Sequence, residues 1–337
     1  MTHDPALIAV PPRTSWQRQL REAVRDIAEL AALLELPVDT LVPERTPSDF
    51  PLLVPRAYVA RMRKRDPRDP LLLQVLPTAL ETLDVPGYSA DPLAESEFAQ
   101  GGVVRKYRGR SLLITTGACP VHCRYCFRRA FPYSAQLAAR NDFTEALARL
   151  AEDGTSEVIL SGGDPLSLGN ARLEALLERL AALPTVKRVR LHTRFPIVLP
   201  DRVDSGLAAL IAATRLAVVV VLHANHPREI DDGVARGLAA LRDAGATLLN
   251  QAVLLRGIND DAEALAVLSE RLFGCGVLPY YLHLLDPVAG AAHFDVDEAR
   301  AEAIYRELLA RLPGYLVPRL VREIPGQASK TPVGLGL

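Results

Sequence analysis

The period of the apolar positions changes along this chain. Over residues 15–36 they recur at helical spacing behind a cap at Thr14 or Ser15. Proline-rich joints follow at residues 42–55 and 66–70, so the first hundred residues read as helical and loop-rich. From Val103 onward, short apolar runs at residues 111–116, 157–161, 186–193, 216–223, 247–255 and 279–285 read as strands. Amphipathic stretches near residues 135–152, 171–183, 204–213, 231–244, 260–273 and 297–312 separate or follow them. Such alternation predicts parallel strands with helical crossovers. No Gly-x-Gly-x-x-Gly follows the first strand, which favours a partial (βα)6 TIM-like barrel over a dinucleotide-binding sheet. Three regions are expected: a helical and loop region over residues 1–102, the barrel over 103–320, and a C-terminal segment over 321–337. No internal repeat appears.

Composition narrows the classes. At 337 residues and 49% hydrophobic, the chain can bury a large core as one domain or two. A net charge of -1 gives no electrostatic footprint for nucleic acid or an anionic membrane. No apolar run reaches the ~18 residues of a membrane helix, and the first residues carry no signal-peptide pattern. A cytoplasmic location is expected, where thiols stay reduced.

In a barrel of this kind, chemistry gathers at the C-terminal ends of the strands. Polar groups collect there: a cysteine loop after the first strand, Ser161, Gly162, Gly163 and Asp164 after the second, His192 and Arg194 after the third, His223 and Asn225 after the fourth, Gln251 near the fifth and Asp286 after the sixth. Any one is unremarkable for a strand end; six in register point to a site.

Three of the 4 cysteines, Cys119, Cys123 and Cys126, form a Cys-x3-Cys-x2-Cys loop. Structural zinc and ordinary four-iron clusters take four protein ligands. Three thiolates on a [4Fe-4S] cluster leave one iron open, and the most economical occupant is S-adenosylmethionine (SAM), cleaved there to a radical. A zinc site completed by a distant histidine and a set of buried thiols are the rival readings. Tyr125 is the aromatic that the radical-SAM pattern places near the adenine, although alone it reads as packing. The glycines of Ser161–Asp164 let backbone approach a ligand, with N–H and C=O groups for the methionyl end of SAM; the alternative is a tight turn.

Lysine occurs only at Lys64, Lys106, Lys187 and Lys330. An amine of this kind can form a Schiff base with pyridoxal 5'-phosphate (PLP). Lys330 lies in a Gly/Pro/Ser-rich run and by itself reads as a solvated tail lysine. Lys64 sits in a charged run, Lys187 at the opposite barrel end, and Lys106 beside Tyr107 and Arg110 suits a phosphate contact.

Taken together, the cysteine loop followed by Phe127, Arg128 and Arg129, the Arg194–Pro200 stretch, His223 to Pro227, Asp286 with Ala291 to Phe294, and Ser329 to Pro332 resemble the lysine 2,3-aminomutases, radical-SAM enzymes that use PLP. The likeness runs from about Pro55 to the end and is greatest to the short branch that serves elongation factor P. It implies that Lys330 is the PLP lysine, that Lys106, Tyr107 and Arg110 lie at the PLP ring and phosphate, and that Arg128 holds the substrate carboxylate. It also implies that Asp286 and Glu323 bind the distal ammonium, Glu323 standing where larger relatives have aspartate. Tyr125, Ser161, Gly162, Gly163, Asp164, His192, His223 and Asn225 then belong to the cofactor environment.

The implied activity is conversion of L-lysine to (R)-β-lysine for modifying elongation factor P. Its partners would be free L-lysine, a reductase or flavodoxin-type electron donor, and elongation factor P with its ligase. The chain departs from the longer members, which continue past the position of Leu337 into a metal-binding and assembly extension; Cys275 then reads as a lone packed cysteine. The competing readings are a 2,3-aminomutase for another amino acid, a non-mutase radical-SAM protein and a zinc-binding scaffold.

Overall fold

A computed structural model describes residues 15–41 and 50–334. Thr14, the first residues of the proline-rich joint and the final tail residues lie outside that set.

One sheet organises the chain, and its strands lie in chain order. They are β1 (Ala99–Gln100), β2 (Val103–Tyr107), β3 (Arg110–Thr116), β4 (Glu157–Gly162), β5 (Arg188–Thr193), β6 (Ala217–Leu222), β7 (Thr247–Val253), β8 (Leu278–His283), β9 (Arg319–Arg322) and β10 (Thr331–Pro332). Pairing is parallel from β3 through β9. It is antiparallel in the flanking pairs β1–β2, β2–β3 and β9–β10. The six expected strands are β3 to β8, each followed by a helix, as a partial TIM-like barrel requires. β9 is a further parallel strand that the sequence pattern did not reveal, and it places Lys330 in the turn before β10.

The strands are apolar because they are covered on both faces. Val158, Leu160, Val189, Leu191, Val220, Leu222, Leu248 and Leu282 are all buried. Each such aliphatic side chain contributes about 1.5–3 kcal/mol by leaving water. Aspartates start the outer helices. Asp204, Asp231, Asp261 and Asp297 accept the N–H of Leu207, Val234, Ala264 and Arg300. Each satisfies an otherwise orphaned donor, worth about 1 kcal/mol.

Two helix expectations need correction. Residues 15–36 form two helices, Trp16–Arg21 and Ile27–Leu34, not one. The break lies where Val24 exchanges both backbone hydrogen bonds with Val54, at 2.8 and 3.0 Å, and Asp26 then caps the second helix. The helix expected over residues 135–152 is broken into a short turn of helix at Tyr133–Gln136, a 3-10 turn at Ala138–Asn141 and a main helix at Thr144–Glu152, which starts after Asp142 and Phe143 adopt left-handed backbone. The buried Phe143 ring anchors that turn.

Candidate active site

The C-terminal ends of β3 to β9 surround a cavity of about 270 Å³. The residues expected to bind cofactors or substrate all line it: Cys119, Cys123, Cys126, Tyr125, Arg128, Lys106, Tyr107, Arg110, Ser161, Gly162, Gly163, Asp164, His192, His223, Asn225, Asp286, Glu323 and Lys330.

The cysteine loop leaves β3 and is held from outside by residues 50–81. His122 N–H bonds to Leu53 O at 3.0 Å, and Arg124 N–H to Gln74 O at 2.9 Å. The Arg124 guanidinium donates to both oxygens of Glu81 at 2.8 and 2.5 Å and to Phe50 O at 2.7 Å. Arg129 reaches the same Glu81 at 2.6 Å. Burial pushes the Cys119 thiol up, with Asp164 adding to the effect, and pushes Cys126 up to about 11, reinforced by Cys123. Among the described residues, no three His, Cys, Asp or Glu side chains gather as a single-ion metal site does.

The two glycines after β4 have a packing reason. A Cβ on Gly162 would lie 2.5 Å from Thr116 O, and one on Gly163 would lie 2.3 Å from Ala118 O. Gly162 also sits at φ +116, a region that favours glycine. The Gly163 and Asp164 N–H groups bond to Thr116 O and Ala118 O at 2.7 and 2.8 Å. These two donors are therefore committed to the start of the cysteine loop, contrary to the expectation that they address a ligand. Asp164 is likewise engaged. It accepts from Thr193 Oγ1 at 2.8 Å and from the N–H groups of Leu166 and Arg194 at 3.0 and 2.7 Å. Burial raises its carboxyl to about 6 against these bonds.

Asn225 is equally committed: its amide donates to Tyr125 Oη at 2.6 Å and Gln74 Oε1 at 3.0 Å, and its oxygen accepts Val253 N–H at 2.9 Å. Its place is beneath Tyr125, holding that ring from behind.

A row of alternating charges crosses the cavity. Arg128 grips Glu95 through Nε at 2.6 Å and Nη2 at 2.9 Å, and gives Nη1 to Ser161 Oγ at 2.8 Å. Lys106 lies 3.3 Å from Glu95 and 3.0 Å from Glu323. Lys330 donates to Glu323 at 2.6 Å. Burial opposes ionisation of Glu323, but Lys330 and Lys106 outweigh it and hold the carboxyl at about 2. Asp286 behaves oppositely, pushed up to about 7 by burial and then by Glu323. Glu95 carried no signal in the sequence; only the fold brings it to Arg128.

Four buried nitrogens of residues lining the cavity have no partner: Arg110 Nε, Arg190 Nε, His192 Nε2 and His283 Nε2; the arginine atoms are donors, and each histidine atom donates or accepts according to its tautomer. His192, His223 and His283 are held neutral, each primarily by burial; His223 falls to about 3. Arg110 lies over the Tyr107 ring at 4.8 Å, and Lys330 Nζ lies 5.7 Å from the Tyr281 centroid. Unpartnered buried donors are costly unless a ligand takes them. A planar aromatic phosphate beside an amine fits this donor set. The three thiols fit a cluster with one thiolate per iron.

Residues 113–268 match the radical SAM superfamily model. The chain thus carries a radical SAM domain, a class that implies an iron–sulfur cluster and SAM. It is 46% identical over 97% of its length, and 96% of the relative, to the L-lysine 2,3-aminomutase of Escherichia coli. It is 43% identical to that of Haemophilus influenzae, over 94% of this chain and 95% of that one. To the enzyme so named from Clostridium subterminale it is 31% identical, over 94% of this chain and 77% of the relative. The chain belongs to the L-lysine 2,3-aminomutase family, and it is an isomerase. Among the described residues, no helix is long and apolar enough to cross a membrane.

Proposed function

We propose that this enzyme moves the amino group of L-lysine from the α- to the β-carbon, giving (R)-β-lysine, with PLP as second cofactor. One observation carries the reading: a single cavity is lined by the three thiols, by Lys330 and by buried nitrogens that have no partner. When bound, the cluster with SAM supplies a hydrogen-abstracting radical and PLP supplies an electron sink for the amino group.

The chain's own residues do the positioning. Cys119, Cys123 and Cys126 hold the cluster, and Tyr125, with Asn225 behind it, sets one wall of the SAM region. Ser161 and Gly162 reach that region through Arg128, which bonds to Ser161 Oγ at 2.8 Å; Gly163 and Asp164 shape it by fixing the cysteine loop. Lys330 provides the amine for PLP, Arg110 and Lys106 face its phosphate, and Tyr107, His192 and His223 bound the ring. Arg128 meets the lysine carboxylate with the part of its guanidinium that Glu95 and Ser161 leave free. Asp286 and Glu323 meet the distal ammonium, a pair of acids that disfavours an anionic side chain in the same place. The family-level route is release of β-lysine for a ligase that modifies elongation factor P, with a reductase or flavodoxin-type protein as electron source and the cytoplasm as location.

The test is an anaerobic assay of reconstituted protein with SAM, PLP and L-lysine, with chiral separation of products. (R)-β-Lysine is the expected product. Deoxyadenosine formation with no β-lysine would reject the aminomutase reading and leave a different radical-SAM reaction.

A further inference from the structure

Arg194 directly follows β5 and is 5% exposed. Its Nη1 lies 2.7 Å from Cys123 Sγ and 2.5 Å from Tyr125 Oη. Its Nη2 faces Gln74 Oε1 at 2.7 Å, Tyr58 Oη at 3.2 Å and Glu229 Oε1 at 3.4 Å. Glu229 is fully buried, and Gln74 donates to the same oxygen at 2.6 Å. A buried guanidinium thus touches a cluster ligand on one side and a buried carboxylate on the other. This arrangement is asymmetric: the cation is in direct contact with the sulfur, and its counter-charge stands one guanidinium width further away.

We propose that Arg194 is a positioning residue that tunes the cluster through Cys123, with Glu229 as its opposing charge. The inference rests on the radical-SAM cluster reading. Donated hydrogen bonds and positive charge at a cluster sulfur favour the more negative, reduced state and raise the reduction potential. A carboxylate behind the guanidinium does the reverse, because it offsets that charge in a medium of low polarity. Tyr58 and Gln74 come from the N-terminal region, so that region enters the electronic environment of the cysteine loop as well as supporting its backbone.

The two charges give the proposal its test, an EPR-monitored redox titration of the anaerobically reconstituted protein without substrate. Arg194→Gln is expected to lower the midpoint potential and Glu229→Gln to raise it. A purely structural role has no reason to give opposite signs. Arg194→Lys keeps the charge and loses the planar fork; its midpoint is expected to fall between those of wild type and Arg194→Gln. If Arg194→Gln fails to hold iron, Glu229→Gln and Arg194→Lys still decide the matter. Unchanged midpoints, or shifts of one sign, in variants that carry full iron would overturn the proposal. Absence of a four-iron signal in the wild-type protein would instead overturn the cluster reading beneath it.

Discussion

At the scale of single residues, Lys330 and Asp286 make separable claims. Lys330→Ala should remove the absorbance of lysine-bound PLP and stop turnover, while the iron–sulfur absorbance stays; spectra of the reconstituted variant check this, and normal turnover would refute the assignment. Asp286 makes a claim about pH. Its carboxyl is raised to about 7, so it is largely protonated just below neutrality and cannot then hold an ammonium ion. The KM for lysine should therefore rise as pH falls through 7, and Asp286→Asn should raise KM and flatten that dependence. Stability runs the other way. A carboxyl whose folded pKa lies above its unfolded value binds its proton more tightly when folded, so it lowers stability as pH rises from about 4 to 7. The melting temperature of Asp286→Asn should thus gain on wild type between pH 5 and 8. Glu323 has the opposite sign: held at about 2, it contributes stability above its ordinary range and loses it only as pH falls toward 2. A melting difference between Asp286→Asn and wild type that does not change with pH would contradict this account.

At the scale of elements, the cysteine loop has little regular structure and borrows its rigidity from residues 50–81. Glu81 and Arg124 form an ion pair whose side chains are 0% exposed, and Arg129 shares the same carboxylate. Removing one partner of such a pair leaves a buried charge without compensation, at a cost of about 3–5 kcal/mol. Glu81→Gln should lower the melting temperature and the iron content together; full iron with unchanged melting would show that the loop does not depend on this brace. This dependence also explains what the sequence disclosed. Local pattern exposed β3 to β8 as short apolar runs; β3 to β6 carry buried β-branched residues, and β8 ends in the buried Leu282 and His283. Four of the outer helices showed in the amphipathic period, and each proves to have an aspartate at its cap. β9 stayed hidden because Arg319–Arg322 is a short strand with charged ends. The split at Val24 was invisible since its cause, Val54, lies thirty residues away. Among site residues, those at strand ends or in the cysteine loop were legible, whereas Tyr58, Gln74, Glu95 and Glu229 acquire a role only through contacts across the fold. The glycines after β4 were noticed, but their cause is the crossing backbone of Thr116 and Ala118.

At the scale of the whole molecule, the cavity gathers charge of both signs. Lys106, Arg110, Arg128, Arg190, Arg194 and Lys330 line it with Glu95, Asp164, Asp286 and Glu323, while Glu157 and Glu229 pair with Arg190 and Arg194 from outside the lining. Two of the lining acids, Asp164 and Asp286, are raised to about 6 and about 7, which weakens the negative side near neutral pH. The unpartnered Arg110 Nε, Arg190 Nε, His192 Nε2 and His283 Nε2 add the cost of polar nitrogens removed from water. A protein built this way should be noticeably more stable with its anionic ligand than without it. At a PLP concentration one hundredfold above Kd, linkage gives about 2.7 kcal/mol of added stability, and a melting temperature raised by several degrees. Pyridoxal, which lacks the phosphate, should give a smaller rise. Arg110→Ala should bring the PLP response down toward that of pyridoxal, because it deletes the cation assigned to the phosphate. Lys330→Ala should keep part of the PLP response, since it removes the covalent anchor but not the phosphate contacts. Differential scanning fluorimetry of the full chain across these ligands and variants separates the contributions. Equal responses to PLP and pyridoxal would mean that Arg110 and Lys106 serve something other than a phosphate.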